Sequence, residues 1–337
     1  MANVTASDLA HFYTTELLGE LKQLDQRRKA VLGKVWTLFA VVGSLLTLCA
    51  VTCIYYQLPP GYLMLGIVGC VGAGSFFYKS LISGYVHEFK LRVIKRMVAF
   101  LDPSLTYWPK GHISKTQFNG SRIFTRYPDR MRGDDLVKGK IGQTIVEFSE
   151  LHAQYKREST TRSGARRRSY HTIFKGLFFI ADFNKKFYGK TVVLPDTAEK
   201  LLGGFGSFFQ SLNRGRGELI KLEDPEFEKN FVVYGDDQIE SRYVLSTSLM
   251  QRIVEFRKKT GKRIYLSFVG SEVFVAVPYK RGLFEPKVFS SIIGFSGVKE
   301  YFEDLQLALG IVEDLNLNTR IWSKREAPSE SRPIRPG

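Results

Sequence analysis

Residues 35–56 read VWTLFAVVGSLLTLCAVTCIYY and residues 58–78 read LPPGYLMLGIVGCVGAGSFFY, and neither stretch contains a charged side chain. Each is long enough, at a rise of about 1.5 Å per residue, to cross a hydrocarbon core of about 30 Å as a helix. A single run of this kind also fits a buried core helix, but two with only a tight turn between them point to a membrane hairpin. The turn is Gln57, Leu58, Pro59, Pro60 and Gly61. Proline lacks an amide proton and clashes with the preceding turn, so one continuous helix cannot run through it. A long mixed polar segment precedes the first run, unlike the basic start and short apolar core of a signal peptide.

Outside the two runs, Arg27, Arg28, Lys29 and Lys34 precede the first, and Lys79, Lys90, Arg92, Lys95 and Arg96 follow the second. Basic flanks stay on the cytoplasmic side, so both termini are expected there, at a bacterial inner membrane. Trp36, Tyr55, Tyr56 and Tyr62 fall where aromatic rings sit between lipid and water. Neither span holds an ionisable residue that would suggest an ion path or proton relay. Gly66 and Gly69, with Ala73, offer a thin face for a close helix neighbour. Cys49, Cys53 and Cys70 are the only cysteines and read as small apolar packing in a reducing compartment.

Leu9, Phe12, Leu17, Leu21 and Leu24 recur at helical intervals before the hairpin, and Ile82, Phe89, Val93, Met97 and Leu101 after it. Both segments leave the membrane on one side in opposite chain directions, so an antiparallel helical stalk is expected, with a helix lying on anionic lipid as the alternative. Asp102 and Pro103 end it.

Beyond Pro103 the chain becomes β-rich, with candidate strands at 142–155, 170–182, 190–194, 218–222, 231–234, 263–269 and 272–278. Residues 172–180 are almost continuously apolar, as in a strand buried on both faces. Ser246 before Leu249, Ile253, Val254 and Phe256, with Gly261 after them, marks a capped helix, and a second is expected over 298–315. Strands in runs with few helices give an α+β class. The predicted organisation is a cytoplasmic amphipathic helix (1–34), a transmembrane hairpin (35–78), a juxtamembrane helix (79–103), an α+β domain (104–322) and a disordered tail (323–337).

No motif for a catalytic centre, metal or nucleotide emerges, and no cofactor is expected. The five histidines show no ligand spacing; His152 and His171 are expected to come near each other as an ordinary cross-strand contact. Gly203, Gly204 and Gly206 lack the lysine and hydroxyl of a phosphate cradle and read as a turn. Two charged constellations remain. Lys156, Arg157, Arg162, Arg166, Arg167 and Arg168 lie in what reads as a long mobile hairpin loop, a candidate contact for anionic headgroups in a chain of net charge +16. The loop lacks aromatic stacking platforms, so nucleic acid ranks behind lipid. Asp224, Asp236, Asp237, Glu240 and Arg242 belong to an acidic stretch, 223–240 and just beyond, able in principle to hold a hard cation. The spacing favours structural roles: Asp224 before Pro225 as a helix start, Gly235-Asp236 as a turn, and an ion pair from Arg242 to Asp237 or Glu240.

The stretch LEDPEFEKNFVVYGDDQIESRYVLS at 222–246 resembles the hallmark segment of a bacterial membrane-protein family known as domain of unknown function three-one-three-seven. FKGLFFIADFN at 174–184 and LNLNTRIW at 315–322 resemble two further segments of that family. The resemblance implies an inner-membrane protein, and because genes of this family often neighbour those for LemA proteins, it implies a LemA-type membrane partner. It implies no catalytic residues. The function expected is a non-enzymatic, membrane-anchored interaction or assembly domain that binds the bilayer and a protein partner or a second copy. The alternatives are a metal-dependent hydrolase using the acidic stretch, and anionic lipid or nucleic-acid binding through the basic loop.

Overall fold

The computed structural model describes residues 5–160, 166–183, 185–196 and 217–318. Arg162, the glycines at 203, 204 and 206, the last residues of the 315–322 segment and the tail 323–337 lie outside the described residues. The chain forms two compact units, Met1–Gly111 with Arg281–Leu307, and His112–Lys280 with Ala308–Gly337.

The first unit is built on two long helices, α1 (Ala6–Tyr55) and α2 (Pro60–Leu101), each long and apolar enough to cross a membrane. Thr5 starts α1 with a reciprocal cap: its hydroxyl accepts from the Asp8 amide while the Asp8 carboxylate accepts from the Thr5 amide. Pro60 opens α2, where its missing amide proton costs nothing. The helices run antiparallel. Phe39 stacks on Tyr78 at 6.2 Å, and Phe12 on Phe100 at 4.0 Å. A side chain at Gly66 would put its Cβ 2.4 Å from Cys49 Sγ, and one at Gly74 would meet Val42 at 3.2 Å. The close approach therefore uses Gly66 and Gly74; Gly69, expected on the contact face, meets nothing within 4 Å.

Below the apolar segments the same helices continue to pack. Glu20 pairs with Arg92 and, at 2.9 Å, with Arg96, while Arg27 reaches Glu88 at 2.5 Å. Each helix contains one π-turn, Tyr13–Leu17 in α1 and Lys90–Ile94 in α2. The inserted residue rotates the following side chains, which keeps Phe12 with Leu17 and Phe89 with Ile94 buried despite five-residue spacings. A short strand β1 (Thr106–Trp108) follows.

The second unit is an α+β domain on an antiparallel sheet. Its strands are β2 (Arg130–Ile141), β3 (Thr144–Thr160), β4 (Arg166–Asp182), β5 (Lys190–Pro195), β6 (Glu218–Ile220), β7 (Phe231–Gly235), β8 (Tyr265–Val269) and β9 (Glu272–Pro278). They lie in the order β2-β3-β4-β9-β8-β5-β7-β6. Strand β4 is central, and its residues from Gly176 to Ala181 are all buried, as their unbroken apolar run requires. Gly176 has φ 149°, and a Cβ there would lie 2.2 Å from the Val277 carbonyl oxygen of β9, so only glycine fits.

One face of the sheet holds a core of Phe118, Phe174, Phe178, Ile180 and Phe274. Phe118 comes from the short helix α3 (Lys115–Gly120), which Ser114 and Gln117 cap reciprocally. Three further helices follow: α4 (Pro225–Asn230), α5 (Gln238–Val244) and α6 (Thr247–Thr260). Ser246 caps α6 by accepting from the Leu249 amide, and Gly261 ends it at φ 62°, as the sequence indicates. Helix α7 (Phe295–Asp314) completes the chain of described elements.

Two strands were not expected. Strand β2 carries Gly133, Asp134, Asp135 and Gly139, and its register shifts between Asp134 and Val137, so no period of two survives in its sequence. Strand β1 spans only three residues.

Candidate functional site

Five of the six basic residues, Lys156, Arg157 and Arg166 to Arg168, do not sit on a mobile loop. Strands β3 and β4 stay paired out to Thr160 opposite Arg166, so Lys156, Arg157 and Arg166 to Arg168 stand on a two-stranded ribbon. Polar and basic residues on both strands permit this, since neither face needs a core. Glu158 stands opposite Arg168 and holds it at 3.3 Å, and Lys156 at 2.5 Å. Those two cations, Lys156 foremost, hold the Glu158 carboxyl below the usual carboxylate range. Arg157, Arg166 and Arg167 are exposed, with no ion pair among the described residues. Aromatic rings flank the ribbon at its root: Arg126 lies over Tyr155 at 4.4 Å and Arg130 over Tyr170 at 5.8 Å. His152 faces Lys175 across the β3–β4 pair and His171 faces Tyr155, so the two histidines are not partners.

The acidic stretch resolves into separate structural tasks. Asp224 caps α4, its carboxylate accepting from the amides of Glu226 and Phe227. Asp237 caps α5 by accepting from the Glu240 amide at 2.7 Å. Asp236 takes both the amide and the ammonium of Lys190. Glu240 accepts from the amides of Tyr188 and Gly189 at 2.8 and 2.9 Å. Arg242 does not pair with Asp237 or Glu240; its guanidinium donates to the Lys221 carbonyl at 3.3 Å. These carboxylates tie the segment before β5 to the β7–α5 junction and do not converge on one point.

Carboxylates that do converge lie elsewhere. Oxygen atoms of Asp134, Asp135 and Glu150 lie within 4.8 Å of one another at the β2 irregularity, where Asp135 is buried. Oxygen ligands of this kind suit a hard divalent cation. The group escaped sequence reading because it depends on the β2–β3 register, in which Asp134 opposes Glu150.

A buried polar seam runs through the first unit. Asp25 and Arg28, one turn apart on α1, are 2% and 5% exposed and joined at 2.8 Å. Ser291 Oγ donates to Asp25 and Arg28 donates to the Val288 carbonyl, so residues 281–307 are stitched to the helix. Burial alone would raise the Asp25 carboxyl, but the hydrogen bond and charge of Arg28, helped by the Ile292 amide and Lys29, bring it below the usual range. On α2, Lys90 is 3% exposed and pairs with Glu285 at 2.9 Å. The Tyr301 hydroxyl donates to the Glu285 carbonyl, and burial pushes it up to about 12. The Tyr85 hydroxyl is buried with no acceptor among the described residues.

The second unit also contains a cavity of about 490 Å³, lined by Lys185, Arg242, Tyr243, Ser246, Ser248 and Arg252 among others.

Residues 172–317 match the family model described as "Protein of unknown function (DUF3137)". This part of the chain, less than half of its length, is similar to a DUF3137 domain. No curated protein matches the chain. Among solved structures, the mycobacterial trehalose monomycolate transport factor A, TtfA, is similar over 64% of this chain and 94% of its own, at 11% identity and a TM-score of 0.30. The acidic stretch and every residue lining the 490 Å³ cavity lie inside the DUF3137 domain, whereas the helical pair lies outside it.

Proposed function

We propose that this protein is a membrane-anchored interaction or assembly protein, non-enzymatic, whose DUF3137 domain is held at the cytoplasmic face of a bacterial inner membrane by the α1–α2 hairpin and engages a protein partner or a second copy. The observation that carries the reading is the exposure of the apolar helix surface. In both helices no residue of the most apolar window is fully buried within the chain, and Ile54 is 77% and Leu65 72% exposed. Contiguous apolar surface on that scale needs a bilayer or another protein to cover it. Support for the orientation comes from the basic flanks, and for a rigid tether from the Asp25–Arg28 and Lys90–Glu285 pairs. A tether confines the domain near one surface and raises its effective concentration for partners there.

Cross-linking and mass measurement of protein extracted in mild detergent tests the assembly claim. A defined oligomer or a stoichiometric membrane partner is expected; a lone monomer overturns it. A second reading, contact of the ribbon with anionic headgroups, is favoured by Arg157, Arg166 and Arg167, which are exposed and without ion pairs among the described residues. The hydrolase alternative needs carboxylates of 223–240 to hold a cation, whereas Asp224, Asp236, Asp237 and Glu240 are engaged in caps, backbone amides and the Lys190 ion pair.

A further inference from the structure

The cavity in the DUF3137 domain has a composition that its structural duties do not account for. Its floor and walls include Phe183, Val244 and Leu249, while three cations, Lys185, Arg242 and Arg252, open on the same space. Among the described residues no carboxylate lines it. Lys185 is half-buried and lies 4.7 Å from the Tyr243 ring and 5.6 Å from that of Phe183. Burial lowers its pKa, as for an ammonium ion short of solvent and of an anionic partner. Arg242 spends one guanidinium nitrogen on the Lys221 carbonyl, and a guanidinium has further donors. Ser246 and Ser248 sit at the start of the 14-residue helix α6, whose first amides have no acceptor within the helix and whose dipole favours negative charge there. At about 490 Å³ the space falls within the range of small-molecule sites.

We propose that this cavity is a binding site for a phosphate ester carrying an apolar or aromatic body, with Lys185, Arg242 and Arg252 neutralising the phosphate and Phe183, Tyr243 and Leu249 covering the body. Arginine suits the phosphate because its planar fork matches two oxygens at once. The aromatic rings and leucines give the body an apolar wall that inorganic phosphate would leave unused. The chemistry is shared by soluble phosphate esters and by the phosphate of a lipid headgroup. The proposal does not depend on the assembly role.

The test titrates full-length protein in phosphatidylcholine nanodiscs with phenyl phosphate, with inorganic phosphate and with short-chain phosphatidic acid, read by calorimetry. Saturable binding of phenyl phosphate at one site is expected, at least about tenfold tighter than inorganic phosphate. Arg252→Gln and Lys185→Met should each weaken it at least about tenfold, Arg252→Lys should recover part of the loss, and Lys258→Gln, outside the cavity lining, should change nothing. Circular dichroism verifies that each variant folds, and Arg242→Gln serves in place of any that does not. Phosphatidic acid binding tighter than phenyl phosphate and displacing it would identify a lipid source; the reverse order would identify a soluble ester. Absence of saturable binding by both esters at low millimolar concentration overturns the proposal, as does binding that the cavity variants leave untouched.

Discussion

Asp25 and Arg28 lie three residues apart on α1, and the spacing places them on one helix face as an ion pair. Burial changes what the pair is worth. An exposed pair contributes little, but removing one member of a buried pair leaves a desolvated charge, at a cost of about 3–5 kcal/mol. Asp25→Ala should therefore destabilise the first unit by that order in denaturant melts of the detergent-solubilised protein, and the loss should depend on pH. The folded pKa of Asp25 lies below the ordinary aspartate value of about 3.9, so its contribution is complete above about pH 4 and disappears as pH falls through the folded value. In Asp25→Asn that part of the acid limb should flatten; an unchanged limb would show that the carboxylate does not contribute. At this scale the sequence was legible where a residue acts locally. Asp224 before Pro225 read as a helix start, and Ser246 read as a cap, because both bond within three residues. Arg242 was assigned the wrong partner because its acceptor, the Lys221 carbonyl, is a backbone group with no sequence signature.

Among the elements, the ribbon of β3 and β4 most changes the reading. A flexible loop would spread Arg157, Arg166 and Arg167 over many arrangements, whereas a paired ribbon presents them in fixed register. Binding to anionic vesicles then needs less ordering, and each basic residue near the surface contributes about 1 kcal/mol. Substituting Arg166, Arg167 and Arg168 by Gln should reduce co-sedimentation with anionic vesicles at least about tenfold at low ionic strength and flatten its salt dependence. An unchanged salt profile would remove the ribbon from any lipid role. The strand pairing was hidden because the basic, serine-rich sequence lacks an apolar face. Strand β2 was hidden for a related reason: its shift between Asp134 and Val137 removes the alternation that marks a strand. The helices left a clearer trace. The five-residue step from Phe12 to Leu17 looks irregular for an α-helix, yet it coincides with a π-turn, whereas the four-residue step from Phe89 to Val93 gave no sign of the second one.

At the scale of the molecule, the two apolar runs and the α+β class were readable directly, since length, lack of charge and runs of strands act over whole segments. The return of residues 281–307 to α1 and α2 was not, because Lys90–Glu285 and Tyr13–Ile293 join residues far apart in the chain. The central proposal is that the hairpin crosses a membrane with its turn outside and the β3–β4 ribbon inside. Single cysteines test it most directly, in a background carrying Cys49→Ala, Cys53→Ala and Cys70→Ala. The Leu58→Cys variant places a thiol in the turn, and Ser159→Cys places one on the ribbon. An impermeant maleimide applied to intact spheroplasts should label the Leu58→Cys protein, and should label the Ser159→Cys protein only after lysis. Recovery of the protein in the soluble fraction, or labelling of Leu58→Cys only after lysis, would contradict the account.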